Sequence, residues 1–400
     1  MSRIRFNDGQ IKVINEAVYH IKHGNNQVYQ FAGKAGTGKT FVLLEIIKQI
    51  GIPLQRIACM AYIGQAAIVM RTRGLWNAKT IHSTLYHLED VVQYDENGNV
   101  LMDPVFNKPI VKLLFRPKPL DDVDYIIIDE AGTVPMSMKH EIERRGKKII
   151  ACGDLGQLPP VADKPAYLYD GNVTYLTEIM RQASGTYIPY IADLVSKGIP
   201  LNAGLYKNVL VIEEKDLTDE MIKYANIVIC GTNRTRDRLN THIREDILGY
   251  TNKIPNYGEK VICRKNNWNI EIDGISLANG LIGSVVYPTN VARFDGKKFY
   301  MDFKPDLLDS YFPDLGCDYE YFTAPHEKRE YLKNSKYNNG EKFEFAYAIT
   351  THLSQGAQYP SGIYFQEYLG EDIQNKLNYV GVTRFSNYLI YVIPNRKSFF

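Results

Sequence analysis

Gly33-Lys34-Ala35-Gly36-Thr37-Gly38-Lys39-Thr40 fits G-x-x-x-x-G-K-T at every fixed position, between an apolar run, Val28 to Ala32, and a helical pattern that begins at Phe41. That context decides the reading. A strand, a glycine loop and a helix start together aim backbone N–H groups and the positive end of a helix dipole at a phosphate chain. The cradle is expected from Gly33, Ala35, Gly36, Thr37 and Gly38, with Lys39 as a point charge for the β- and γ-phosphates and Thr40 as a hydroxyl for Mg²⁺. A chance glycine-rich turn is the bland alternative, and it explains neither flank. Nucleotide binding follows. What the nucleotide is used for does not, because kinases, GTPases, transporters and motors share this loop.

The chain has 400 residues, too many for one ordinary core, and 45% hydrophobic with 23% charged residues describes globular domains rather than disorder. The net charge is +2, from 47 basic and 45 acidic residues, so no bulk signal announces a nucleic-acid partner and any basic groove must be local. The 29 tyrosines offer rings that can stack on unpaired bases, although most are expected in cores or on the surface. Five isolated cysteines with no C-x-x-C pair read as free buried thiols of a reducing cytoplasm. The N-terminus lacks a signal-peptide core and no stretch approaches a membrane span, so neither export nor a membrane partner is expected.

From Gln27 to about residue 180, apolar runs alternate with helix-length segments: Val28–Ala32, Arg56–Ala61, Tyr125–Ile128, Lys148–Cys152 and Val173–Leu176. Continuous β-branched runs without polar alternation are the mark of buried parallel strands, which predicts a doubly wound α/β domain over residues 1–185. A break over residues 88–120 contains Tyr94-Asp95-Glu96-Asn97-Gly98-Asn99-Val100, and the Asn-Gly turn between Val91-Val92 and Val100-Leu101-Met102 predicts an inserted β-hairpin. A second α/β rhythm over 186–400 runs through Val209, Ile227–Cys230, Phe345–Thr350, Gly362–Phe365 and Tyr388–Ile393. Residues 255–345 interrupt it with short runs such as Val285-Val286-Tyr287, which predicts an inserted small β domain rather than a very long loop.

Chemistry gathers at strand ends. Tyr125-Ile126-Ile127-Ile128 runs into Asp129-Glu130. The ends of parallel strands present ligand-binding groups, so Asp129 is expected to organise Mg²⁺ and Glu130 to orient or deprotonate a water. An acidic loop after a buried strand is the plain alternative; beside a phosphate loop it loses ground. Gln157 follows the next strand and can hydrogen-bond a γ-phosphate and report its loss.

Gly153-Asp154-Leu155-Gly156-Gln157-Leu158-Pro159-Pro160-Val161 resembles a motif of superfamily 1 helicases, specifically the RecD/Dda-like group that moves 5′ to 3′ on single-stranded DNA. The resemblance runs in order along nearly the whole chain. It implies two RecA-like P-loop domains, a β-hairpin inserted in the first and a small SH3-like β-barrel in the second, using ATP and Mg²⁺. Gln10, in Phe6-Asn7-Asp8-Gly9-Gln10, then takes the adenine. Thr80 and His82, in Thr80-Ile81-His82-Ser83, take DNA, as do Asn233 and Tyr62. Arg181, in Leu176-Thr177-Glu178-Ile179-Met180-Arg181-Gln182, reaches the γ-phosphate. The stretch Thr351 to Gln358 resembles the motif that couples DNA to nucleotide, with Thr351, His352 and Ser354 toward DNA and Gly356 and Gln358 toward the nucleotide. Tyr379-Val380-Gly381-Val382-Thr383-Arg384 resembles the last motif, whose arginine is a finger offered from the second domain.

Two arginines make chemical sense, because fixed guanidinium groups stabilise the charge that spreads over a departing phosphoryl group. An arbitrary arginine is more often a surface ion pair; embedding in matched motifs reverses that reading. The hairpin is expected to split the duplex, with Phe106, or Met102 beside it, stacking on the junction base pair, or else Phe106 packs the hairpin onto the core. Leu353 stands where the family often has Lys, and Tyr62 and Gln65 where Thr and Lys are common, which removes phosphate contacts and implies either weaker DNA affinity or compensation by tyrosine stacking. The implied activity is an ATP-dependent DNA helicase of a bacterial cell or phage-infected host, monomeric, meeting single-stranded DNA, duplex junctions and possible partners such as a single-stranded-DNA-binding protein or replication proteins. A translocase that remodels bound protein without separating strands is the alternative. A small-metabolite kinase leaves Gln157, Arg181 and Arg384 without a task.

Overall fold

The structure is a computed structural model that describes residues 5–102, 109–160, 163–169, 171–180, 186–286, 293–333 and 340–395. The first apolar rhythm forms a sheet in the order Lys79–Thr80, Ile57–Ala61, Tyr125–Asp129, Lys148–Gly153, Val28–Gly33 and Val173–Leu176, every pair parallel. Helices cover both faces, so Ile126, Ile127 and Ile128 are all fully buried. Parallel strands end on one edge. Ala32 lies beside Gly153, Gly33 beside Leu176, and Ala61 beside Asp129, which puts the phosphate loop and the acidic pair side by side.

The second rhythm forms a sheet in the order Ala348–Thr350, Val228–Cys230, Tyr359–Phe365, Phe385–Ile393, Val209–Glu213 and Gly204–Tyr206. Its pairs are parallel except at the edge strand Gly204–Tyr206. The run Phe345–Thr350, expected as one strand, is split between sheets. Phe345 pairs with Val261 in the inserted sheet, whereas Ala348 pairs with Val228 in the core sheet, so the chain crosses from one to the other at Ala346-Tyr347.

Between these pieces an antiparallel sheet runs Phe312–Asp318, Lys298–Pro305, Ile282–Val286, Lys260–Cys263 and Phe343–Phe345. Its edges approach each other: Glu341 donates its N–H to the Gly316 carbonyl at 2.8 Å and accepts from the Asp318 N–H at 2.9 Å, just before Phe343–Phe345 begins. Lys298–Pro305 alternates strictly, with Phe299, Met301 and Phe303 inward. That inner face shares one apolar cluster with Ala66, Ala67 and Met70 of the first lobe, where Gly64 leaves room for Ala278.

The hairpin exists, with different pairing from that expected. Tyr86–Val92 pairs with Val111–Pro117, so that Val91 faces Lys112 and Val92 faces Val111 rather than Val100–Met102. The Asn-Gly turn closes a shorter loop, Tyr94 against Val100, with Gly98 at φ 82°. The seven-residue ladder below outcompetes a local pairing of three. All five cysteines are free and buried. Among the described residues no helix is long and apolar enough to cross a membrane.

Helix Glu371–Thr383 packs onto the second sheet through Gly381, where an added Cβ would sit 2.0 Å from a ring carbon of the fully buried Tyr364. Alanine would gain about 1 kcal/mol in helix propensity, but forcing a methyl group into that contact costs about 1–3 kcal/mol. Gly381→Ala is therefore expected to lower the thermal midpoint in a melting experiment. An unchanged or raised midpoint would contradict this packing.

Candidate functional site

The loop is shaped by close approach. A Cβ on Gly33 would lie 2.4 Å from Thr37 Oγ1, and Gly38 turns into the helix Lys39–Ile50 at φ 82°, a conformation that favours glycine. Lys39 Nζ donates to the Gly33 carbonyl at 2.7 Å and Thr37 Oγ1 to the Lys34 carbonyl at 2.9 Å, so the loop curls on itself. Gln10 lies beneath it. Its side chain accepts from the Asn7 N–H at 3.1 Å as half of a helix capping box and donates to the Thr37 carbonyl at 3.0 Å, so it braces the loop and does not line the cavity.

A cavity of about 520 Å³ opens above the loop, between the two parallel sheets. It gathers Ala35, Gly36, Gly38, Lys39, Thr40, Asp129, Glu130 and Gln157 from one side with Gly356, Gln358 and Arg384 from the other. Arg181 lies outside the described residues. Met180 before it reaches the cavity, and its N–H donates to the Gly36 carbonyl at 2.9 Å.

Asp129 is buried, and one carboxylate oxygen accepts from the Glu130 N–H at 2.9 Å and from the Cys152 thiol at 3.2 Å. Glu130 has φ 52°, strain that a non-glycine residue carries at a cost of about 1–3 kcal/mol. Burial, and then Asp129 beside it, raise its pKa, while Lys39 and Arg384 oppose the rise. A carboxylate in that position has its proton affinity increased, which suits a group that must take a proton from water. Gln157 is buried with its amide oxygen unpartnered. Arg384, 5% exposed, donates to the carbonyls of Val380 and Ala357 at 3.1 and 3.2 Å and to Thr383 Oγ1 at 3.1 Å, all neutral acceptors. A buried guanidinium without a carboxylate partner is a site for an anion.

The donors fit a magnesium nucleotide. Among the described residues no group of three or more His, Cys, Asp or Glu could hold a metal by itself. Mg²⁺ prefers one or two protein oxygens completed by water and phosphate oxygens, and Thr40 with Asp129 offers that pair on the cavity wall.

Sequence reasoning missed the contacts that tie the two sides. Tyr379 donates its hydroxyl to Asp154 at 2.5 Å and accepts the loop N–H of Ala35 at 2.8 Å. Burial, reinforced by Asp154, drives its phenol pKa upward, so it remains a donor at ordinary pH. Gln355 donates to the Leu158 carbonyl at 2.9 Å, and Lys34 pairs with Asp193 at 2.7 Å. Arg73 bridges Thr40 and Gln358. Tyr379, Gln355 and Asp154 stood inside recognised motifs and were legible there as positions; Arg73 carried no signal.

The residues expected to face DNA divide. His82 stacks on Trp268 with centroids 5.3 Å apart and lies near Tyr62 and Phe115, at 5.9 and 6.1 Å, an aromatic group drawn from the first lobe, the hairpin and the two-stranded ribbon Asn267–Ile272 with Ile275–Leu277 in the insertion. Trp268 and Phe115 were not anticipated. Burial lowers the pKa of both His82 and His352, so they favour the neutral form and stacking over phosphate pairing. Asn233 begins the helix Asn233–Thr241 and is half-buried. Thr351 and Ser354 are fully buried, with hydroxyls donated to the carbonyls of Cys230 and Thr351 at 3.1 and 2.8 Å, and Thr80 caps a helix. Those three build the backbone turns instead of offering a surface, because a buried hydroxyl must be satisfied locally. Phe106 lies outside the described residues.

A phosphate loop on one parallel sheet, facing a second parallel sheet across a cavity of nucleotide size, defines a two-lobed P-loop protein. Residues 5–215, just over half of the chain, match the family model described as an AAA domain, and the chain belongs to that family. It is 25% identical to an uncharacterized protein of Methanocaldococcus jannaschii over 92% of its own length, and spans 37% of that relative. Its fold matches that of a Pif1 helicase from Candida albicans, with TM-score 0.54 and 17% identity over 98% of this chain and 95% of that one. A Pif1 helicase from Bacteroides, crystallised with ADP-AlF3 and ssDNA, gives TM-score 0.55 and 16% identity over the same shares. The fold is thus the two-domain RecA-like fold that these Pif1 structures share.

Tyr379→Phe would leave the Asp154 carboxylate and the Ala35 N–H without their partner, a loss of about 1–3 kcal/mol. Denaturant melts should show it, and nucleotide should restore part of it. Equal stability of the two proteins would remove this tie from the account.

Proposed function

We propose that the protein is an ATP-dependent DNA helicase or translocase that moves 5′ to 3′ on single-stranded DNA and unwinds duplex, built from lobes 1–185 and 186–400. One observation carries the reading: Arg384, from the second lobe, lines the same cavity as Lys39, Thr40, Asp129 and Glu130. An arginine that crosses the cleft makes the grip on a triphosphate depend on how the lobes sit.

In this reading the loop N–H groups and Lys39 bind the β- and γ-phosphates. Thr40 and Asp129 would hold Mg²⁺, which would neutralise phosphate charge when bound. Glu130 takes a proton from the attacking water, and Gln157 hydrogen-bonds the γ-phosphate and reports its loss. Arg384, with Arg181 in the role that the family resemblance implies, stabilises the charge that spreads over the phosphoryl oxygens. Loss of the γ-phosphate removes the shared anion, and the lobes lose one reason to stay together. Single-stranded DNA is proposed to cross both lobes near His82, Tyr62 and Trp268, where stacking needs no base identity. The 5′ to 3′ direction rests on the resemblance to the RecD/Dda-like group.

Lys39→Ala should abolish ATP hydrolysis stimulated by single-stranded DNA and leave the circular dichroism spectrum unchanged; retained turnover would refute the site. Polarity and unwinding are read from strand displacement on 5′-tailed and 3′-tailed duplexes, of which only the 5′-tailed one should open. Deleting residues 94–108 should stop displacement while sparing DNA-stimulated hydrolysis. Displacement that survives the deletion would rule out the hairpin as wedge, and a protein that hydrolyses ATP on DNA without opening either tail would be the protein-remodelling translocase.

A further inference from the structure

Arg73 follows the helix Gly64–Thr72 and points into the nucleotide cavity. Its two terminal nitrogens reach to opposite sides of the cleft. Nη1 donates to Thr40 Oγ1 at 2.7 Å, and Nη2 donates to the Gln358 amide oxygen at 2.8 Å. Both partners are neutral. One is the hydroxyl that the proposed function assigns to Mg²⁺, and the other belongs to the second lobe. We infer that Arg73 is a latch that competes with Mg²⁺ for the Thr40 hydroxyl and, while it holds that hydroxyl, ties the first lobe to Gln358 of the second.

The competition is electrostatic and geometric. A cation coordinates a hydroxyl oxygen through a lone pair, and the guanidinium already uses that oxygen as acceptor from 2.7 Å. A divalent ion about 2.1 Å from the same oxygen would meet the guanidinium charge within a few ångströms, with no water between them. The oxygen has a second lone pair, so it is the repulsion between the two cations at that separation that keeps them from sharing the hydroxyl. Arg73 must therefore swing away when the metal arrives, and the planar fork that spans Thr40 and Gln358 cannot keep one end once the other has moved far. Metal binding at the loop and release of Gln358 are then one event. By linkage, whatever pulls Gln358 and its segment away from Arg73 favours Mg²⁺ on Thr40 by the same factor. Gln358 sits at the end of the stretch read from sequence as coupling DNA to nucleotide, so the latch is a positioning device that joins the two ligands. It does not touch the reacting atoms.

This inference rests on the proposed nucleotide site, and its test separates the two. Affinity for a fluorescent ADP is measured with Mg²⁺ and again with EDTA, in wild-type protein and in Arg73→Ala. The ratio of the two affinities isolates the contribution of the metal, because any direct contact of Arg73 with phosphate would enter both measurements. The latch predicts a ratio larger in Arg73→Ala than in wild type by about tenfold, in the range of ordinary coupling energies. A ratio that is unchanged or smaller overturns it. Hydrogen exchange of residues 353–358 in the nucleotide-free protein should rise in Arg73→Ala, and unchanged exchange would overturn the tie to the second lobe. Should Arg73→Ala fail to fold, Arg73→Lys serves, because one ammonium cannot span both acceptors; it should move both readouts in the same direction. Wild-type protein that binds no nucleotide under either condition would refute the site itself, whereas normal binding with an unaltered ratio refutes only the latch.

Discussion

Three cations, Lys39, Arg73 and Arg384, enter one cleft, and each is held there by neutral oxygen acceptors: carbonyls, two hydroxyls and an amide. Positive charge withdrawn from water without a carboxylate partner is costly. The fold tolerates it because carbonyls at helix and strand ends offer partial negative charge, and because Asp129 and Glu130 stand on the same wall. A polyanion is the ligand that such an arrangement favours. The strain at Glu130, its raised proton affinity and the unpartnered oxygen of Gln157 belong to the same economy, in which the site is organised around a ligand and not around its own internal contacts.

The second constraint is that the cavity is shared between the lobes. Tyr379 lies on the helix of the second lobe, yet its hydroxyl completes the hydrogen bonding of Asp154 and Ala35 in the first. Lys34 with Asp193 and Gln355 with Leu158 add contacts of the same kind. All are polar and all lie near the phosphate loop. Polar contacts of this sort exchange for water or phosphate at modest cost, unlike the apolar cluster that joins the inserted sheet to Ala66, Ala67 and Met70. Leu158 and Ala35 add apolar burial to this interface, in one cluster with Tyr379 and Val380 of the second lobe, so both the cleft and the seat of the inserted sheet rest partly on burial.

What could be read in advance follows from locality. The parallel strands were visible because burial on both faces demands uninterrupted apolar runs, and the phosphate loop because its geometry is satisfied within eight consecutive residues. Asp129, Glu130 and Gln157 were visible because a strand end is a local feature. Pairing was harder. Val91-Val92 lay near a strong turn signal, but the longer ladder with Val111–Pro117 took it, a choice between partners that no window of sequence contains. Phe345–Thr350 read as one strand because nothing local marks the passage from one sheet to another. Thr351 and Ser354 read as surface groups through their motif, and the structure buries both.

The sequence by itself determined the kind of chemistry on offer: a glycine-rich phosphate-loop motif, and a hydroxyl and a carboxylate at its side and at a strand end. These depend on spacing within short segments, where backbone geometry leaves few alternatives. Only the tertiary structure decided which residues meet across the cleft. Arg73 stands 33 positions from Thr40 and 285 from Gln358 and touches both, and Tyr379 closes on a loop 344 residues away. Contacts at such separations are set by how the loops and helix ends of the two lobes meet across the cleft, a property of the whole chain that no single stretch of it carries.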